Sequence, residues 1–200
     1  MALGRPRGFD IGDALEKAQG VFCRLGYDAA SLSELTKAMG INSPSLYAAF
    51  GSKEGLFRAV MDRYAQQRVQ DLEAGLDAPT ARDAVDHILA IAARLYTEDK
   101  GEVSWLVMRG GAACGCPAIA DDLSSRRDGI ETALRKRFER AVQEGDLGER
   151  ADPAALARYV MSVLTGMGIQ AAEGASEEEL KQIAAYAMGG FPAPARPSQG

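Results

Sequence analysis

Residues 31–50, SLSELTKAMGINSPSLYAAF, predict two short helices separated by a tight turn. Ser31 and Glu34 have the S-x-x-E spacing of a capping box, in which each side chain binds the backbone amide of the other residue. A helix therefore begins at Leu32, and the apolar residues that follow recur three and four positions apart, as on one buried helical face. Gly40 tolerates the positive φ that commonly ends such a helix, so the chain turns there.

A second helix is predicted over residues 44–50, a few positions after that turn. Ser43 suits the N-cap position, and Pro44 suits the first helical position, where its missing N–H costs nothing. Leu46 and Phe50, four residues apart, are expected to pack against the other helices. The residues expected to face outward are Ser45, Tyr47 and Ala48.

Two helices joined in this way form a helix-turn-helix, whose second helix enters the major groove of DNA. An αα-hairpin with no role in DNA binding has the same pattern, so both interpretations are open on these residues alone. On DNA, Ser45 would bond a base edge or a phosphate, Tyr47 would donate to a phosphate, and Lys53 would add a phosphate clamp beside the free amides of the next helix. The candidate DNA contacts are Arg5, Arg7, Thr36, Lys37, Asn42, Ser43, Pro44, Ser45, Tyr47 and Lys53.

The charge of the chain is unevenly distributed. The 200 residues have a formal net charge of −5, which by itself argues against nucleic-acid binding. Residues 1–70 nevertheless contain nine Lys or Arg against seven Asp or Glu, whereas residues 71–200 contain fourteen against twenty-one. The positive excess therefore falls on the part that contains the helix-turn-helix pattern, and the acidic remainder can face solvent or other partners.

The composition excludes several classes of protein. The sequence has no apolar run long enough to span a membrane and no signal region, which predicts a cytoplasmic chain. Three cysteines, an odd number with two of them one residue apart, do not form the framework of a secreted disulfide scaffold. The single histidine, His87, offers no triad or metal constellation, so no catalytic residue, metal or cofactor is predicted.

Helical periodicity continues along the chain, so the predicted fold class is all-α, with about nine helices. The predicted organisation is a flexible basic arm at 1–9, a three-helix helix-turn-helix bundle within a domain at 10–68, a second helical domain at 69–189, and a disordered tail at 190–200. Outside residues 31–50, helices are predicted to begin at Asp10, Ser52, Thr80, Ser104, Pro117, Asp152 and Ser176. Their predicted ends are Gly26, Gly75, Glu98, Ala113, Gly145, Gly174 and Met188.

The order of these motifs resembles the TetR family of bacterial transcriptional regulators. The similarity extends motif by motif over roughly residues 8–68, from FCRLGY at 22–27 to AAFGSKE at 48–54. It implies a DNA-binding repressor that releases its operator when an effector in the C-terminal domain moves the fourth helix. Asn42 and Ser43 are uncharged where many members have Arg or Lys, so the sequence preference is not carried over.

The resemblance also implies a homodimer in which the last two long helices of each subunit form a four-helix interface. Gly166 and Gly168 interrupt an otherwise apolar helix at a cost of about 1 kcal/mol each relative to Ala, which close approach of a partner helix would explain. A local kink without a partner is the alternative. The candidate interface residues are Val163, Gly166, Met167, Gly168, Ile183 and Ala187.

A small-molecule effector pocket is expected between the helices of the second domain. The candidate lining residues are Tyr96, Trp105, Met108, Cys114, Cys116, Phe138, Tyr159 and Met167. Cys116 immediately precedes Pro117, which predicts a helix N-cap, where the free amides would activate the thiol toward an oxidant or electrophile. The simpler interpretation is that both cysteines are small buried hydrophobes at a helix junction.

Two other functions fit parts of the sequence. An all-helical thiol peroxidase would use Cys114 and Cys116, but the usual two-residue spacing between cysteines and a neighbouring His or Glu relay are absent. A helical protein-binding adaptor would fit the acidic second domain but leaves the basic arm and Lys53 unexplained. The prediction is therefore a ligand-responsive DNA-binding regulator without enzymatic activity.

Overall fold

The computed structural model describes residues 9–98 and 115–193, and every regular element within these ranges is an α-helix. The helices are α1 (Ile11–Ala29), α2 (Leu32–Met39), α3 (Ser43–Phe50), α4 (Lys53–Leu76), α5 (Ala81–Glu98), α6 (Pro117–Gln143), α7 (Pro153–Ala172) and α8 (Glu177–Gly190). The predicted all-α fold class is confirmed. Most of the predicted arm and the helix predicted at 104–113 lie outside the described residues.

Local signals determine where these helices begin and end. At α2, the Glu34 amide donates to Ser31 Oγ at 3.2 Å and the Ser31 amide donates to Glu34 Oε2 at 3.0 Å, so the predicted capping box is formed. Gly40 ends α2 in the left-handed region with a φ of 68°. A second predicted capping box, between Ser176 and Glu179, begins α8.

Gly26 interrupts α1 but does not end it, contrary to the prediction. Its φ of 74° is non-helical, yet one further turn follows and α1 extends to Ala29. The Ala30 amide then donates to the Gly26 carbonyl oxygen at 3.3 Å. This extra turn carries Tyr27 back into the core, where its side chain is buried.

Two apolar cores organise the described chain. The first lies within residues 9–64, which we call the head, and its fully buried members include Phe22, Leu35, Leu46 and Phe57. The second is built mainly from α5 to α8 and contains Phe138 and Met167. Ile119 and Leu123, from the first turns of α6, are buried in the core of the head. Because of these two side chains, α6 belongs to both cores.

The end of α8 differs from the tail predicted at 190–200. Gly190 is the last residue of α8, and Phe191 is only 3% exposed, with its ring centroid 5.6 Å from that of Phe138. Arg82 Nη1 donates to the Phe191 carbonyl oxygen at 3.0 Å. The burial of one aromatic ring outweighs the Gly- and Pro-rich composition around it. Residues 194–200 lie outside the described part of the chain.

The corner between α3 and α4 depends on a glycine. A Cβ atom added to Gly55 would lie 2.0 Å from the Phe50 carbonyl oxygen, which is a backbone atom that cannot rotate away. The Gly55 amide donates to Ser52 Oγ at 3.0 Å, so the same residue takes part in the cap of α4. The close approach fixes the end of α3 against the start of α4.

Replacing Gly55 by Ala is therefore expected to lower the free energy of unfolding by at least about 1–3 kcal/mol, the usual cost of overpacking. Urea unfolding measures the change. Gly129→Ala is the matched control, because Gly129 lies in α6 with no atom within 4 Å of an added Cβ. That variant should gain about 0.5–1 kcal/mol. Equal stability of the two variants would contradict the proposed role of Gly55.

Candidate DNA-binding interface

Helix α3 presents a small polar surface above an apolar anchor. Leu46 is fully buried and Phe50 packs at the edge of the head core, as their spacing predicted. On the other side of the helix the Tyr47 side chain is 48% exposed, and Ala48 is also exposed. Ser45 is half-buried. The helix therefore offers a protruding phenol beside short side chains, which permit close approach to a groove.

The N-cap of α3 is Asn42, which corrects the predicted cap at Ser43. Asn42 Oδ1 accepts a hydrogen bond from the Ser45 amide at 2.9 Å, and Ser43 and Pro44 are the first two helical residues. Asn and Ser cap helices about equally well, so adjacent Asn and Ser residues leave the register undecided in the sequence. The side-chain oxygen of Asn42 is thus used within the head, while Ser43 and Pro44 lie exposed on the first turn.

Two predicted contacts on α2 differ in what they can offer to DNA. The Thr36 hydroxyl donates to the Leu32 carbonyl oxygen at 2.8 Å, so its proton is directed at its own helix and its oxygen is left as an acceptor. Thr36 therefore cannot donate to a phosphate in this rotamer. Lys37 is exposed in the last turn of α2, where an ammonium group also suits the helix dipole.

Lys53 is held by the end of α1. Its Nζ atom lies 4.4 Å from the centroid of the Tyr27 ring, within the range of a cation–π interaction. The same atom donates to the Asp28 carbonyl oxygen at 3.4 Å. An ammonium group has three donors, so this arrangement positions Lys53 at the start of α4 and leaves further donors for a phosphate.

Tyr27 and Glu54 interact beneath this lysine. Burial, followed by the hydrogen bond and negative charge of Glu54, raises the pKa of the Tyr27 hydroxyl, and the Cys116 side chain contributes to the same shift. The pKa of Glu54 is lowered by its own backbone amide first, then by the hydroxyl groups of Ser52 and Tyr27. At neutral pH the phenol is therefore a neutral donor and the carboxylate an acceptor.

Arg5 and Arg7 of the predicted arm lie outside the described residues. The other eight candidate DNA contacts all belong to the head: Thr36, Lys37, Asn42, Ser43, Pro44, Ser45, Tyr47 and Lys53. Sequence reasoning missed Tyr27 as the support of Lys53. The FCRLGY motif contains this tyrosine, but only the fold shows that its ring lies under a lysine 26 residues later.

The predicted pocket residues do not form one group. Tyr96, Phe138 and Met167 are buried in the second core, and burial raises the pKa of Tyr96, with a smaller contribution from Tyr64. The Tyr159 hydroxyl donates to the Ala187 carbonyl oxygen at 2.6 Å. Cys116 instead packs against the core of the head. The remaining candidates, Trp105, Met108 and Cys114, lie outside the described residues.

The predicted dimer residues differ in how exposed they are. Three of them, Met167, Gly168 and Ala187, are buried within their own subunit, whereas Gly166 is exposed and an added Cβ there would have no neighbour within 4 Å. Val163 and Ile183 are half-buried. Sequence reasoning missed Tyr186, which is 86% exposed on α8. Its position away from the stripe of buried residues on α8 was the signal that could have identified it.

The described residues contain no group of three or more His, Cys, Asp and Glu side chains arranged to hold a metal ion. None of the described helices has the length and hydropathy needed to cross a bilayer.

The fold and the exposed face of α3 define a helix-turn-helix DNA-binding protein. Residues 14–60 match the model of the bacterial regulatory proteins of the tetR family. The chain is 35% identical to the transcriptional repressor ComR of Escherichia coli K12 over 185 residues, 90% of this chain and 88% of ComR. It is 34% identical to the repressor BdcR of the same organism over 186 residues, 92% of this chain and 90% of BdcR.

A solved structure extends the similarity to three dimensions. A cysteine mutant of the TetR-family regulator CifR, complexed with 26-bp operator DNA, superposes with a TM-score of 0.85 at 38% identity over 94% of this chain and 100% of that chain. This chain belongs to the TetR family of transcriptional regulators. The predicted resemblance is confirmed, and these comparisons do not favour the peroxidase or adaptor alternatives.

The corrected N-cap of α3 is testable. Asn42→Ala should lower the free energy of unfolding by about 1 kcal/mol, because the Ser45 amide loses its acceptor. Ser43→Ala is the matched control and should cost only a few tenths of a kcal/mol, as an exposed substitution at the first helical position. Urea unfolding of both variants measures the difference, and a larger loss for Ser43→Ala would restore Ser43 as the cap.

Proposed function

We propose that this regulator is a homodimeric repressor that binds operator DNA through α3 and is released by a small-molecule effector or a thiol-reactive signal. The observation that carries the proposal is the geometry of α3, in which Leu46 is buried while Tyr47 is directed outward. The protein acts by binding and not by catalysis. Its site of action is the bacterial cytoplasm, where the operator lies.

Each element of the head has a role in this proposal. Helix α3 enters the major groove, with Ser45 within reach of a base edge and Tyr47 donating to the phosphate backbone. Lys37 and Lys53 lie before and after this helix along the chain, in the last turn of α2 and at the start of α4, and are proposed to neutralise phosphates. The basic residues of the arm, Arg5 and Arg7, add further phosphate contacts.

The dimer is supported by the surface of α7 and α8. Tyr186 is a large aromatic side chain that one subunit leaves uncovered, and aromatic residues are enriched in the cores of interfaces. The open space over Gly166 permits close approach of a second helix. Pairing of these faces would present two heads to successive major grooves, about 34–36 Å apart.

The effector is proposed to bind the second domain, where Tyr96, Phe138 and Met167 are the described candidates. A thiol-reactive signal at Cys116 would act at a different place, because this residue packs against the head. Cys116 is the N-cap of α6 and makes no capping hydrogen bond through its side chain. Loss of operator binding after thiol modification stays a prediction.

The DNA contacts are tested with an operator fragment selected from the source genome by the wild-type protein. Tyr47→Ala should weaken operator binding about tenfold, equivalent to about 1.4 kcal/mol for one lost polar contact. The double variant Tyr47→Ala, Lys53→Ala should bind weakly enough to lose detectable complex in a gel-shift titration at fixed salt, while remaining dimeric. Gln143→Ala, an exposed residue at the end of α6 and outside the head, serves as the control. Unchanged affinity of the double variant would contradict the assignment.

The dimer face is tested separately by Tyr186→Glu, which places a charge on the proposed interface. Sedimentation equilibrium should show a monomer at concentrations where the wild type is dimeric, because an unpaired charge is costly to bury. Gln143→Glu, an equal charge change on an exposed residue at the end of α6, should leave the dimer intact. A Tyr186→Glu protein that remains fully dimeric would place the interface elsewhere.

A further inference from the structure

The start of α6 is docked on the head by apolar side chains. Ile119 is fully buried and Leu123 is 3% exposed, and both lie in the core of the head, far along the chain from its other members. One ion pair extends the contact, since Arg126 Nη2 lies 2.7 Å from Asp62 Oδ1 on α4, and Arg126 is oriented by Asp122 on α6 itself, whose Oδ2 lies 2.7 Å from Arg126 Nε. Movement of this part of α6 would therefore displace side chains in the core of the head.

Two residues just before α6 reach the end of α1. The Gly115 amide donates to Asp28 Oδ2 at 2.7 Å. The Cys116 side chain packs against the core of the head, to which Tyr27 belongs. We call the docking of Gly115 and Cys116 on the head the junction. The junction joins the second domain to adjacent residues on one turn of the head.

The same turn holds Lys53. The Tyr27 ring supports the ammonium group at 4.4 Å, and the carbonyl oxygen of Asp28 accepts from it at 3.4 Å. The ring itself has little freedom, because it stacks on Phe22 with centroids 6.1 Å apart and meets the edge of Phe57 at 5.3 Å. Tyr27 thus has one face on Lys53 and its body in the core.

We infer that Tyr27 is a positioning residue for Lys53, and that the docking of Gly115 and Cys116 at the junction sets operator affinity through the turn that Tyr27 and Asp28 form. The inference rests on the proposed function, in which Lys53 contacts a phosphate. When the junction is closed, Tyr27 and Asp28 hold the ammonium group where a phosphate can meet it. When the second domain draws Gly115 and Cys116 away from the head, Asp28 loses the Gly115 amide, and the turn that holds Lys53 is no longer fixed.

The first arm of the test examines whether Tyr27 acts through Lys53. Operator affinity is measured over a range of salt concentrations for Lys53→Met, Tyr27→Leu and the double variant. Each single variant should bind about fivefold more weakly and should reduce the slope of log K against log salt by about 0.9, the contribution of one phosphate contact. The double variant should match the singles. Tyr27→Phe, which retains the ring, should keep the wild-type slope.

The second arm examines the junction and does not disturb the core. Asp28→Ala removes the acceptor of the Gly115 amide, whereas Asp28→Asn removes the same charge but keeps an oxygen acceptor. Asp28→Ala should bind the operator about threefold more weakly than Asp28→Asn, an effect within the range of one hydrogen bond. In the Lys53→Met background this difference should disappear, because the ammonium group that Tyr27 and Asp28 hold is gone. This arm stands alone if Tyr27→Leu fails to fold.

The outcomes separate the inference from the function on which it rests. Each single variant weakens operator binding by some factor. If the two factors multiply in the Tyr27→Leu, Lys53→Met double variant, Tyr27 acts independently of Lys53 and the inference is overturned. Equal affinities of Asp28→Ala and Asp28→Asn, or a difference that persists with Lys53→Met, would also overturn it. If Lys53→Met keeps the wild-type salt slope while Tyr47→Ala still binds the operator more weakly, Lys53 does not contact a phosphate. Operator binding through α3 would then still be supported.

Discussion

The insertion of two α6 side chains into the core of the head is the constraint on which the rest of the arrangement depends. Ile119 and Leu123 begin a helix that continues into the second core, so the two cores share one rigid element. Burying each of these side chains contributes about 1.5–3 kcal/mol to the free energy of unfolding. An exposed ion pair at the same boundary contributes less. The head therefore cannot shift relative to α6 without exposing apolar surface.

The far end of α6 restrains the other end of α4. Arg137 Nη2 donates to the Ala78 carbonyl oxygen at 3.0 Å, and Arg140 Nη2 donates to the Leu76 carbonyl oxygen at 3.2 Å. Both guanidinium groups suit the negative end of the α4 dipole. Burial, followed by the nearby Arg140, lowers the pKa of Arg137, and two of its nitrogens have no partner among the described residues. Helix α4 is thus held by α6 near both of its ends.

These restraints explain how an acidic protein can carry a DNA-binding surface. The head needs only a few cations in fixed places, because each phosphate contact depends on position as well as on charge. Tyr27 and Asp28 provide that position for Lys53, and Asn42 keeps the first turn of α3 intact by capping it. The net charge of the whole chain is therefore a poor guide to what the surface of the head can bind.

The sequence by itself determined the features that depend on neighbours within four residues. The capping box at Ser31, the turn at Gly40 and the outward direction of Tyr47 are of this kind, and together with the motif order they predicted the family. Only the tertiary structure decided that Cys116 lies against the head and that Tyr27 supports Lys53. The contact between Gly115 and Asp28 spans 87 residues. Such contacts are set by how the helices pack, and helical periodicity shows that a face is buried without showing what covers it.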